Sequence, residues 1–175
     1  MKVSPMKVYG VVGWKNAGKT TLVERLVGEI AGRGFSVSTV KHTHHNVDVD
    51  QKGKDSWRHR RAGARQVILS SSARWAIMTE LKGAPEAPLG ELLGHLAPVD
   101  LVIVEGYKRD DHAKVEVWRA ATGQPLIARD DPTVRAIASS DTPEGASQPV
   151  IGLDDIAAIA DFILSDLGLE LRKSA

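Results

Sequence analysis

Apolar residues fall along this chain in two alternating rhythms, short β-branched runs and longer helical stripes. Val8-Tyr9-Gly10-Val11-Val12 is apolar throughout, the pattern of a strand buried on both faces. From Thr20 onward Leu22, Val23, Leu26 and Val27 recur at helical spacing and predict a helix to about Ala31, stopped by Gly32 and Gly34. Phe35–Lys41 reads as a second strand. Residues 42–54 are polar and aperiodic. Asp55 or Ser56 caps a helix to about Ala62, which Gly63 ends. Gln66–Leu69 and Trp75–Met78 predict two strands joined by Ser70-Ser71-Ser72. After a Pro- and Gly-bearing loop over 82–90, Leu89–Leu96 fits a short helix with its leucines on one face. Leu101–Val104 is a continuous apolar run, expected near the middle of a sheet, whereas Val115–Trp118 alternates and reads as a strand further out. Val134–Ala138 and Val150-Ile151 complete the strands. Asp154 or Asp155 caps a last helix to about Leu167.

This alternation predicts an α/β fold, a three-layer arrangement with a mostly parallel central sheet and helices on both faces. Such sheets bind ligands at the carboxyl ends of their strands, a rule that sorts the polar residues below. A length of 175 residues suits a single domain spanning 1–175, with 1–6 and 168–175 expected to be mobile tails. With 23 basic and 22 acidic residues the chain has no bulk drive towards nucleic acid or an anionic membrane. It has no cysteine, which excludes disulfides and thiolate metal sites. No apolar run is long enough to span a bilayer, and the first residues lack the apolar core of a signal peptide, so a cytoplasmic protein is expected.

Between the first strand and the first helix lies Gly13-Trp14-Lys15-Asn16-Ala17-Gly18-Lys19-Thr20, which fits the phosphate-cradling P-loop G-x-x-x-x-G-K-S/T, with Thr21 following. The glycines let the backbone wrap an anion, and the new helix adds its positive end. Lys19 is expected on the β- and γ-phosphates, and Thr20 on Mg²⁺. The fold expectation thereby narrows to a P-loop nucleotide-binding domain.

An acidic group is needed beside that Mg²⁺. Asp100 and Glu105 bracket the apolar run Leu101–Val104 and lie roughly 16 Å apart at the usual strand rise. Only Glu105 sits at the carboxyl end, so it takes the magnesium-side role and Asp100 a structural one. The stretch Lys41-His42-Thr43-His44-His45 also lies at a strand's carboxyl end, with Asp48, Asp50, Lys54, Asp55 and Arg60 close behind. Three readings stay open: a zinc or nickel site on His42 and His44; a site for an anionic phosphate-bearing molecule on Lys41, Lys54 and Arg60, with Asp48 or Asp50 assisting Mg²⁺; or a solvated polar loop.

The chain resembles the molybdopterin-guanine dinucleotide biosynthesis protein B (MobB) family. The resemblance rests on Gly13–Thr21, Lys41–Asp50, Gly53–Ser56, Arg60 with Ala62–Ala64, Arg74–Ala76, Asp100–Lys108 and Ile137–Asp141, and it covers about Lys7 to Leu167. Tyr107 stands where the family usually has Phe. The likeness implies a GTP-binding accessory to the attachment of GMP to molybdopterin, with weak GTPase activity. It also implies a homodimer and contact with a nucleotidyltransferase partner that performs the transfer. Related dimeric ATPases carry an extra lysine one position after the first glycine. That position is Trp14 here, so Lys15 receives no trans-acting role.

The guanine-reading motif N-K-x-D is absent. Asp141 follows the strand Val134–Ala138 and is the candidate base-reading carboxylate, with a turn residue before Pro143 as the plainer alternative. Arg60 is the candidate for stabilising transition-state charge, alongside Lys19 and Glu105. Two other function classes compete: a metallochaperone carrying nickel or zinc on the histidine loop, and a small-molecule kinase. The pair Lys108-Arg109 could serve the kinase or the accessory reading, with a solvated turn as the plainer alternative.

Overall fold

The computed structural model describes residues 6–43 and 47–170. Its elements are β1 (Lys7–Val12), α1 (Lys19–Gly32), β2 (Val37–Lys41), α2 (Asp55–Arg61), β3 (Gln66–Ser70), β4 (Trp75–Thr79), α3 (Leu89–Leu93), β5 (Leu101–Glu105), β6 (Lys114–Val117), β7 (Val134–Ser139), β8 (Val150–Gly152) and α4 (Ile156–Asp166). Short 3-10 turns occupy Ala120–Thr122 and Ile127–Arg129. The chain divides into two compact units, one built from the segments up to His42 and from Leu92 onward, the other from Thr43–Glu91.

The first unit holds a six-stranded sheet in the order β2-β5-β1-β6-β7-β8. Every pairing in it is parallel. Strands buried on both faces carry continuous apolar runs, which is why β1 and β5 are so legible in the sequence. On one face Tyr9, Val11, Leu101, Ile103, Val115 and Ala136 pack with Leu22, Leu26 and Ile30 of α1 and Ile159 and Ile163 of α4. The Tyr9 hydroxyl, at the centre of this layer, donates to Asp166 of α4 at 3.1 Å. On the other face Val12, Val134 and Ile137 pack with Leu126 and Ala128 of the Ile127–Arg129 segment. Among the described residues, no helix is long and apolar enough to cross a membrane.

Two expectations change. The strand expected further out is β6, which pairs with β1 and is buried along its whole length. Its alternation reflects two partnered polar side chains rather than an exposed face. The Lys114 ammonium donates to the Asp110 carbonyl, the Thr133 hydroxyl and Asp131. The Glu116 carboxylate accepts from the Ile127 and Ala128 amides at 2.9 and 2.8 Å. Residues 168–170, assigned to a tail, belong to the folded body: Gly168 and Leu169 close α4 through the Ser165 and Leu164 carbonyls, and Leu169 packs on the core. Asp155, not Asp154, caps α4, accepting from the Ala158 amide at 3.0 Å, while Asp154 pairs with Arg25 at 2.8 Å.

The second unit is a small α2–hairpin assembly. β3 and β4 form an antiparallel two-stranded sheet of their own, and α2 packs on β3. Arg60 of α2 reaches three carboxylates, Asp48 at 2.7 Å, Asp50 at 3.0 Å and Glu80 at 2.6 Å. Ser56, buried in the same unit, donates to Asp50 at 2.8 Å. The hairpin leaves Ile68, Leu69, Trp75 and Ile77 exposed, at 63, 55, 65 and 40%.

Candidate functional site

The chain leaves β1 through Gly13, whose backbone is left-handed with φ +150. A side chain there would put its Cβ 2.4 Å from the Val117 carbonyl oxygen of β6, so only glycine fits. The loop closes on Gly18, the N-cap of α1, in which no side chain satisfies the first helical turn. The N–H groups and positive end of α1 therefore face the loop's interior. Ala17 is buried and anchors the loop, while Lys15 and Asn16 are exposed at its rim and Thr21 in the first helical turn. Lys19 folds back and donates to the Trp14 carbonyl at 2.8 Å. Burial, Lys108 and Lys41 hold its pKa below the usual lysine range, against the pull of Glu105. Trp14 is fixed by its indole N–H on the Pro125 carbonyl at 2.7 Å. The Lys108 ammonium lies 4.0 Å from its ring, a cation–π contact.

Beside the loop stands Glu105, the last residue of β5 and 7% exposed. The Thr20 hydroxyl donates to it at 2.9 Å. The β2–β5 register pairs Lys41 with Glu105. The Lys41 ammonium donates to both Glu105 oxygens at 3.1 Å and to the Thr20 hydroxyl oxygen at 3.0 Å. A cation thus already bridges the three oxygens that a P-loop protein offers to Mg²⁺. All three are hard oxygen donors beside a phosphate cradle, so they fit magnesium. Asp100 lies at the other end of β5 and accepts from the Ser36 amide and hydroxyl at 2.8 and 2.7 Å, a structural role.

Gly106 turns the chain away from Glu105 with φ +99, where a Cβ would come 2.9 Å from the His42 Cβ. The His42 amide donates to the Glu105 carbonyl at 2.9 Å, and its ring packs on Tyr107 at 4.9 Å. Lys41 and His42 are thereby tied to the Glu105 end of the site. His44 and His45 lie outside the described residues. Among the described residues no group of three His, Cys, Asp or Glu side chains is placed to hold a metal ion.

Within the second unit the structure pairs three of the expected site residues with one another. Arg60, read as a transition-state arginine, has Nε, Nη1 and Nη2 each engaged by a different carboxylate. Asp48 and Asp50, read as magnesium or substrate groups, are two of those three. In this structure these pairings hold α2 to its own unit. Lys54 serves as the N-cap of α2 through its backbone, with no side-chain cap bond.

Asp141 lies just past β7, exposed, with its amide on the Ser139 hydroxyl at 3.0 Å and its Oδ2 accepting from the Ala120 amide at 2.9 Å. Two further residues stand near the loop. Lys108, left open between a site role and a solvated turn, covers Trp14. Arg119, two residues past β6, donates from Nε to the Ala17 carbonyl at 3.1 Å. The only signal for Arg119 was its place at the carboxyl end of a strand.

This geometry agrees with what the chain is similar to. The family model for molybdopterin guanine dinucleotide synthesis protein B (MobB) matches residues 8–140. The chain belongs to the MobB family. It is 38% identical over 154 residues to the molybdopterin-guanine dinucleotide biosynthesis adapter protein of Escherichia coli, covering 86% of this chain and 87% of that one. It is 41% identical over 160 residues to the adapter protein of the same name from Haemophilus influenzae, covering 88% and 85%. The X-ray structure of a MobB protein homolog from Bacillus stearothermophilus matches with a TM-score of 0.68 at 27% identity, covering 94% of this chain and all of that one. The family match includes the P-loop, Lys41 and Glu105, and ends one residue before Asp141.

Proposed function

We propose that this protein is a GTP-binding accessory factor in molybdenum cofactor biosynthesis, assisting a nucleotidyltransferase in attaching GMP to molybdopterin. The observation that carries the nucleotide half of this reading is the convergence of Thr20, Glu105 and Lys41 at the mouth of the P-loop. The adapter half rests on the names of the relatives. We place the protein in the cytoplasm, with molybdopterin or its guanine dinucleotide as the molecule handled.

Phosphates lie against the amides of Gly13–Thr21, with Lys19 swinging from the Trp14 carbonyl to meet them. Thr20 and Glu105 would hold Mg²⁺, which would supply positive charge beside the phosphates. Lys41 must then leave these oxygens, and its ammonium stays at the γ-phosphate end, where it pairs with the added negative charge. Asp141 reads guanine, whose ring N–H and 2-amino group are adjacent donors to one carboxylate. Hydrolysis is slow, because Arg60 is engaged by its own unit.

The protein works as a homodimer through the hairpin. A lone two-stranded sheet is marginal in water. β3 and β4 pair only with each other among the described residues and expose Ile68, Trp75 and Ile77 on one face, with Leu69 exposed on the other. A second copy covers that surface with like chemistry. The functional test is reconstitution: molybdopterin, a partner nucleotidyltransferase, GTP and Mg²⁺, with and without this protein. Faster formation of the guanine dinucleotide cofactor, lost with Lys19→Ala, supports the proposal. An unchanged rate overturns it.

A further inference from the structure

We propose that Arg119 is a base-specificity residue, reading the 6-carbonyl oxygen and ring nitrogen 7 of guanine while Asp141 reads the opposite edge. The inference rests on the guanine-nucleotide reading above and adds to it the missing half of base recognition.

The strand order directs the nucleotide. Glu105 and Lys41, which mark the γ-phosphate end, belong to β5 and β2 on one side of β1. The phosphate chain is held over β1 by the P-loop. The nucleoside therefore extends to the other side, over the carboxyl ends of β6 and β7. Arg119 and Asp141 are the charged side chains that directly follow those two strands.

They are also joined. Arg119 Nε donates to the Ala17 carbonyl at 3.1 Å, and the next residue's amide donates to Asp141 Oδ2 at 2.9 Å. One short segment thus fixes the base-side carboxylate relative to the phosphate loop. The guanidinium lies against Gly18, its Nε and Nη2 3.7 and 3.8 Å from where a Cβ would stand. Arg119 is exposed and forms no salt bridge among the described residues, so with Nε engaged its two terminal nitrogens remain as a pair of donors.

The chemistry of that pair is selective. Guanine presents two adjacent acceptors on this edge, and an arginine fork matches them with two hydrogen bonds. Adenine places an amino donor at the same 6-position, which faces the guanidinium donors unfavourably. Arg119 and Asp141 together would do what the absent N-K-x-D motif does elsewhere, with donors on one edge of the base and an acceptor on the other.

The test is calorimetric titration of GTP, 7-deaza-GTP and ATP, each with Mg²⁺, into the full-length wild-type protein and Arg119→Met. The 7-deaza analogue lacks only the ring nitrogen acceptor and needs no altered protein. Wild type is expected to bind it about tenfold more weakly than GTP. Arg119→Met is expected to lose about tenfold for GTP relative to ATP, and to show no further loss with 7-deaza-GTP. Equal weakening of GTP and ATP in Arg119→Met would make Arg119 a phosphate ligand or loop brace and overturn the proposal. Equal affinity of wild type for GTP and 7-deaza-GTP also overturns it. Wild-type binding of GTP no tighter than ATP would overturn the guanine reading itself.

Discussion

The two units of the chain treat charge in opposite ways. Around the P-loop, three ammonium groups stand against two carboxylates: Lys19 and Lys41 face Glu105, Lys108 faces Glu116, and burial of Lys19 depresses its pKa. In the Thr43–Glu91 unit, Arg60 is surrounded by Asp48, Asp50 and Glu80. The first arrangement carries an excess of cation and is completed by an anion. The second satisfies its cation internally and leaves apolar side chains uncovered instead. Density of charged residues is therefore a poor guide to a binding site, whereas imbalance is a good one. In the function proposed above, the P-loop unit takes the phosphates and the hairpin unit a second copy of the chain.

The hairpin side of this contrast is broken most directly by Trp75→Ser with Ile68→Lys. The pair is expected to weaken self-association by about thirtyfold or more, read by sedimentation equilibrium, with the helical circular dichroism unchanged. A dimer of undiminished strength would place the interface elsewhere. Asp141→Asn tests the base end of the P-loop unit. An amide cannot accept from both guanine donors, so the preference for GTP over ATP should fall about tenfold in competition binding. Selectivity that survives would move base reading to other groups. Lys41→Met sharpens the charge argument. Without the ammonium, Thr20 and Glu105 are open to a divalent ion, and Mn²⁺ affinity without nucleotide should rise about fivefold by electron paramagnetic resonance. A fall would mean that Lys41 helps to build the cation site.

The smallest effect is on pH dependence. The Arg60 guanidinium holds the Asp48 carboxyl below the usual carboxylate range. Burial pushes Asp50 up, but the Ser56 hydroxyl and Arg60 prevail and hold it down as well. A carboxylate with a depressed folded-state pKa contributes stability above its unfolded value of about 4 and loses it as pH falls below that. Hydrogen-exchange protection of the hairpin amides, corrected for intrinsic rates, should hold from pH 7 to about 5 and decline below about 4. Protection that rises on acidification would contradict the Arg60 assignment.

The P-loop and the Glu105-Gly106 turn were legible because both are local. Strand, turn and helix follow one another in sequence, and the glycines at 13 and 106 occupy left-handed backbone against a close neighbour. The fold class was legible for the same reason, since alternating strands and helices force a parallel sheet. Reading failed where meaning depends on distant partners. The alternation in β6 resembles an outer strand until Glu116 is seen capping Ile127–Arg129. The sequence sets Arg60 near Asp48 and Asp50 but does not show that Glu80, twenty residues on, lies beside it. Arg119 carries no motif, and its importance comes only from the strand order that sets it against Ala17. The structure places Glu105, and not Asp100, beside the P-loop, because the carboxyl-end rule is itself three-dimensional.

The central claim is that the P-loop unit binds GTP with Mg²⁺ through Lys19. Isothermal titration of GTP with Mg²⁺ into the wild-type protein and Lys19→Ala measures it most directly. The account predicts one saturable site per chain in the wild type. In the variant it predicts a loss of about a hundredfold or more, with an unchanged thermal midpoint. GTP affinity that survives Lys19→Ala would contradict it.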